Sequence, residues 1–140
     1  MSAASNYLEN KVLDHVLTAT AYTQPARHIG LFKSPVSEAA TDADLEAGTL
    51  TNEVGTAGTA YGRQSVTFAA ASSGTSATNA TVTFSAATAS WGTITHVAVM
   101  DGGTAGAGNV LFWGRVTTAK TIDSGDTFQI TSGNLTISLA

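Results

Sequence analysis

The sequence predicts a mainly β fold: an antiparallel β-sandwich or barrel with one N-terminal α-helix and a long loop or arm. Three observations predict it. From about residue 63 onward, short apolar–polar alternations recur between turn-forming clusters of Gly, Ser, Asn and Asp. Thr occupies 23 positions, and its β-branched side chain suits a pleated, half-exposed surface. Apolar residues at clear helical spacing occur in one segment, near the N-terminus.

That segment spans about residues 5–21 within an N-terminal stretch of 1–22. Asn6 and Glu9 fit a capping box, in which each side chain satisfies an orphan amide of the first turn. Leu8, Val12, Leu13, Val16 and Leu17 form one apolar stripe, with Glu9, Asn10, Lys11 and Asp14 on the other side. Thr18, Thr20 and Pro25 end the pattern. A helix of this length is marginal alone in water. It has to pack on the β block or on another subunit.

A short strand is expected at 27–33. Residues 34–62 then hold five of the ten acids, Glu38, Asp42, Asp44, Glu46 and Glu53, with four glycines and few large apolar residues. Residues 42–47 suit a short helical turn, and the rest reads as loop. Loops this long serve as solvated excursions, binding segments or intersubunit arms.

The β block covers 63–140. Segments 64–69 and 79–85 share Val-Thr-Phe and place Val66 and Phe68, then Val82 and Phe84, on one face. They read as a hairpin or as an exchange between sheets. Residues 93–100 are apolar on both faces, which suits a central strand. Strands follow at 110–117, 126–131 and 135–139, the last alternating Leu135, Ile137 and Leu139 with Thr136 and Ser138. The connections at 101–109, 123–126 and 132–134 are turn chemistry. The whole reads as one domain, 1–140.

Composition narrows the function. Only 11% of the chain is charged, the net charge is −4 and there is no Cys. Disulfides, thiolate nucleophiles and Cys-ligated zinc are ruled out. An acidic balance disfavours nucleic acid, which needs a basic face. No apolar run approaches the ~20 residues that span a bilayer as a helix. The first residues lack the basic and apolar regions of a signal peptide, so none is expected.

No catalytic constellation stands out. The Gly-rich segment 102–108 reads G-G-x-x-G-x-G and leads into a strand, not a helix, so it lacks the free amides of a phosphate site. His15, His28 and His96 show no metal-ligand spacing. His15 is expected to face solvent or an interface; His28 and His96 fall in strands, in the core or on the surface. No G-x-S-x-G elbow occurs. The Asp123–Asp126 turn is expected to be held by Asx hydrogen bonds rather than by calcium. Trp91 and Trp113 are expected to pack in the core or at an interface.

The stretches SNYLENKVLDH (5–15), TAYTQP (20–25), IGLF (29–32), YGRQSVTF (61–68), ASWGTITHV (89–97), SGDTF (124–128) and GNLTISL (133–139) resemble small virion structural proteins of tailed bacteriophages. Members are labelled tail fibre proteins, and similar chains serve as capsid cement or decoration proteins. The resemblance implies no catalytic residue and no cofactor. The chain shows neither a repeat nor a coiled-coil seam, as a long fibre would. That favours a non-enzymatic cement protein on the outer capsid surface, assembled in the host cytoplasm. A trimer bridging copies of the major capsid protein is the expected form. The alternative is a tail-tip or tail-fibre component, partnered by other tail proteins, whose Trp91, Trp113 and glycine loop would contact host glycans. A sugar-binding or hydrolytic module is a third possibility. The candidate interface residues are Leu8, Val12, Leu13, Val16 and Leu17 of the helix, Glu38, Asp42, Leu45 and Leu50 of the loop, and Trp91 and Trp113.

Overall fold

The computed structural model describes residues 3–139. The chain runs through β1 (Ala3–Ala4), α1 (Asn6–Leu17), β2 (His28–Phe32), α2 (Glu38–Ala47), β3 (Gln64–Ser65), β4 (Thr75–Ala77), β5 (Val82–Thr83), β6 (Gly92–Met100), β7 (Val110–Ile122), β8 (Gln129–Ile130) and β9 (Thr136–Ser138). Five strands form an antiparallel sheet in the order β1-β7-β6-β2-β3. Two antiparallel pairs, β4–β9 and β5–β8, stand apart from it. The predicted antiparallel, sheet-rich class holds. Among the described residues no sheet closes into a barrel.

The β6–β7 hairpin is the spine. Its register pairs Val99 with Phe112 and Met100 with Val110, so Leu111 is an extra residue on one strand. Such a bulge shifts which side chains share a face. Leu111 and Phe112 therefore both join one core, while Val110 and Trp113 join the other. Both faces of β6 are buried, as its two-sided apolar run requires. One face sends Ile94, Val97 and Val99 toward Tyr61, Phe84 and Trp91. The opposite face packs Phe32, Ala98, Met100 and Val110 against Leu45 of α2.

The aromatic group on the first face is ordered by quadrupole geometry. Tyr61 stacks on Phe84 at 6.1 Å between centroids, and Trp91 meets Tyr61 edge-on at 5.4 Å. Phe128, brought in by the C-terminal segment, meets Phe84 edge-on at 5.7 Å. The Val-Thr-Phe segments do two things. Residues around Phe68 and Thr78 pair locally, with Ala69 N–H donating to Ala77 C=O at 2.9 Å. Val82–Thr83 then leaves that hairpin to pair with Gln129–Ile130.

Three local readings are corrected. The cap of α1 is Ser5, one residue before Asn6, and its Oγ accepts from Leu8 N–H. The helix ends at Leu17, short of Ala21, because both the amide and the hydroxyl of Thr18 turn back to Asp14 C=O. The long 34–62 connection exists, but its middle is the ten-residue helix α2, not a loop with one turn. Ser37 caps α2 by accepting from Ala40 N–H at 3.1 Å, and Gly48 ends it at φ +81°, a conformation glycine adopts without strain. Two backbone bonds close the base of the α2 excursion on β2: Lys33 N–H donates to Asn52 C=O and Val54 N–H to Leu31 C=O, both at 3.0 Å.

Candidate functional site

The clearest surface feature begins at Ser5. Its amide donates to Leu111 C=O at 3.0 Å and its buried hydroxyl bonds Val110 C=O, which fastens the start of α1 to β7. Leu8, one turn in, is buried. Beyond it the stripe leaves the body. Val12, Leu13, Val16 and Leu17 are 41%, 54%, 70% and 74% exposed. At about 100° per residue these four cover an arc of roughly 140° on the helix. Tyr7 and Lys11, on another face, are the residues half-covered by the protein. Beside Leu8 and Val12 lies an apolar groove of about 360 Å³, walled by Tyr22, Pro25, Phe68 and Leu139.

On the far face of the sheet, charges tie α2 down. His96 is fully buried; its Nε2 lies 2.8 Å from Asp42 Oδ1, and its Nδ1 lies 2.9 Å from Thr95 Oγ1 and 3.3 Å from Ser34 Oγ. Arg115 reaches across from β7 to grip Asp42 through its Nε, at 3.1 Å to both carboxylate oxygens, and Glu38 through Nη1 at 2.7 Å. Those Arg115 hydrogen bonds, with His96 adding a smaller share, hold the Asp42 carboxyl below the usual range. Asp42 in turn holds the Arg115 guanidinium above its ordinary value. Ser34, His96 and Asp42 have the residue types of a nucleophile–base–acid relay. The geometry does not serve that chemistry: the imidazole is sealed from solvent, and the carboxylate is already paired with Arg115.

A second ionic cluster holds the glycine-rich connection between β6 and β7. Arg63 and Glu53 form a buried two-point ion pair, Nε to Oε1 at 2.7 Å and Nη2 to Oε2 at 2.8 Å. Arg63 Nη1 also donates to Gly102 C=O and Ala107 C=O, each at 2.9 Å. Glu53 Oε2 accepts Gly106 N–H at 2.7 Å, and Oε1 accepts the Tyr61 hydroxyl at 2.9 Å. Burial, then the Glu53 charge, push the Tyr61 phenol well above the usual tyrosine range. Asp101 closes the loop base by accepting from Asn109 N–H and Nδ2, both at 2.7 Å. The glycine-rich loop is therefore held at both ends and in the middle.

The nominated residues separate accordingly. Leu8, Leu45 and Trp91 are buried in the core. Trp91 is 1% exposed, with its indole N–H donating to Thr59 C=O at 2.8 Å, so it cannot stack on a glycan. Trp113 is half-buried over α2, its indole N–H donating to Glu46 at 2.9 Å. Glu38 and Asp42 are spent on Arg115, and Leu50 packs against the α2 core. Val12, Leu13, Val16 and Leu17 are the nominated apolar residues that stay exposed. His15 is exposed and accepts Tyr22 N–H at 3.1 Å, while His28 is half-buried. Sequence reasoning missed the Glu53–Arg63 pair, and of the two positions left open for His96 the structure takes the core. An isolated Glu and Arg ten residues apart carry no spacing signal; their pairing is purely spatial.

Comparison with known proteins supplies the remaining identification. No curated protein matches the chain. One protein family, described as Gp80, "Podophage GP4 fiber I protein gp80", matches residues 3–138. The match spans the capped helix, the central sheet and both small strand pairs, and so the chain belongs to the podophage fibre I protein gp80 family and is a phage virion structural protein.

Proposed function

We propose that this chain is a non-enzymatic structural subunit of a podophage fibre, working as assembled copies attached to other tail proteins. The family match over residues 3–138 carries the reading. The chemistry of the site supports it. The polar groups that resemble catalytic machinery are consumed in holding α2 and the 101–109 loop, while the available surface is aliphatic. Such a surface suits protein–protein packing rather than turnover. Neither a cofactor nor nucleic acid has a part in this role.

Capsid decoration is the second reading, favoured by the sheet-built body and by the absence of a repeat or heptad seam in the sequence. Localising the protein on purified virions separates the two. Antibody labelling and imaging should place it at the tail, with a few to a few dozen copies per particle by quantitative mass spectrometry. Hundreds of copies spread over the head would overturn the fibre reading in favour of decoration.

A further inference from the structure

We infer that His15 is a proton-sensitive latch. Neutral, it fastens the segment that links α1 to β2 onto the helix; protonated, it lets that segment and its Tyr22 go.

Residues 20–27 join α1 to β2 with no helix or strand of their own. Among the described residues, one hydrogen bond from residues 21–26 reaches another element: Tyr22 N–H donates to His15 Nδ1 at 3.1 Å. A ring nitrogen accepts a hydrogen bond only while it carries no proton, so this bond requires the neutral imidazole with its proton on Nε2. The imidazolium donates from both nitrogens and would set one N–H against another. Protonation therefore removes the tie outright.

Histidine is the side chain whose charge changes between pH 5 and 8. His15 lies in the last turn of α1, is exposed, and takes part in no ion pair among the described residues. The charged groups nearest it on the helix are Lys11, one turn earlier, and Asp14. The linking segment brings Tyr22 and Arg27, and the glycine-rich connection brings Asp101 beside the Tyr22 side chain.

What the latch holds is the Tyr22 ring. That ring packs against the main core and walls the groove beside Leu8 and Val12. Its hydroxyl is buried near Tyr7 and Asp101 without a well-formed hydrogen bond. A buried, unpaired hydroxyl is costly, and water satisfies it once the ring swings out. The closed position is thus balanced: ring packing and the His15 bond favour it, and the hydroxyl opposes it. Only the closed form needs His15 unprotonated. Closing is therefore favoured as pH rises and undone as pH falls through the His15 titration.

NMR of the full chain between pH 8 and pH 5 tests this. Exchange protection of the Tyr22 amide, corrected for the intrinsic rate at each pH, should fall about two- to tenfold, the net worth of one such hydrogen bond. The fall should share its midpoint with the His15 ring protons, and the Tyr22 ring should lose its cross-peaks to the core over the same range. His15→Gln does not titrate and should fold like wild type, because the position is exposed; it should abolish the pH dependence. His28→Gln, at the half-buried start of β2, should leave it intact. Tyr22 protection that stays constant while the His15 ring titrates overturns the proposal. So does a pH dependence that survives His15→Gln, or one that disappears in His28→Gln.

Discussion

Replacing Glu53 with Ala should be among the most damaging single changes in this protein. The carboxylate accepts four contacts at once: two from the Arg63 guanidinium, one from the Tyr61 hydroxyl and one from Gly106 N–H. Its side chain is 3% exposed and that of Arg63 is 0% exposed, so water cannot replace what is lost. Removing one partner of a buried pair leaves an uncompensated charge and costs about 3–5 kcal/mol. Domains of this class have about 5–15 kcal/mol in total. At roughly 3 °C per kcal/mol for a chain of this length, the melting temperature should fall by about 10–15 °C. Glu53→Gln keeps the shape and one acceptor and should lose less. Adding Arg63→Met to Glu53→Gln removes the second buried charge, so the two losses should combine less than additively, by about 0.5–3 kcal/mol. Calorimetry of these variants and of Arg63→Met alone measures each loss. Amide exchange at Gly106 gives a local readout, because its N–H should lose protection in Glu53→Ala. A Glu53→Ala protein that melts within about 2 °C of wild type would refute the claim that this pair fastens the glycine-rich connection.

Two further outcomes follow from the same structure. Asp42 titrates below its ordinary value, so the stability it lends is complete above about pH 4 and is lost as pH falls through its lower folded value. Arg115→Ala should raise that value and move the acid-unfolding midpoint, followed by circular dichroism, to higher pH; an unchanged midpoint would contradict the assignment. Trp91→Ala should cost about 3–5 kcal/mol through cavity formation and loss of the bond to Thr59 C=O. Wild-type tryptophan emission should accordingly carry a blue-shifted component that denaturant removes.

Legibility in the sequence tracks the range of the interactions. The positions of β2, β6 and β7 follow from alternation and from runs apolar on both faces, signals written within a few residues. The α1 stripe is equally local. The helix α2 is nearly invisible because Ala, Asp and Glu fill most of it and Leu45 is its single large apolar residue. Its signals were in the caps, Ser37 and Gly48, not in its periodicity. The short strands β4, β5, β8 and β9 exist through partners about 45 to 65 residues away, which no local window contains.

The same distinction separates what each level decides about function. By itself the sequence determined a mainly β, charge-poor, cysteine-free chain with one amphipathic helix and a likeness to phage virion proteins. Composition and short-range period fix those properties, whatever the chain folds against. Tertiary structure alone decided which nominated residues are available. It buried Leu8, Leu45 and Trp91, spent Glu38 and Asp42 on Arg115, sealed His96, and left Val12 to Leu17 facing outward. Periodicity specifies that a helix has an apolar face; the tertiary contacts, the bonds from Ser5 to β7 and the burial of Leu8 among them, determine which way that face points.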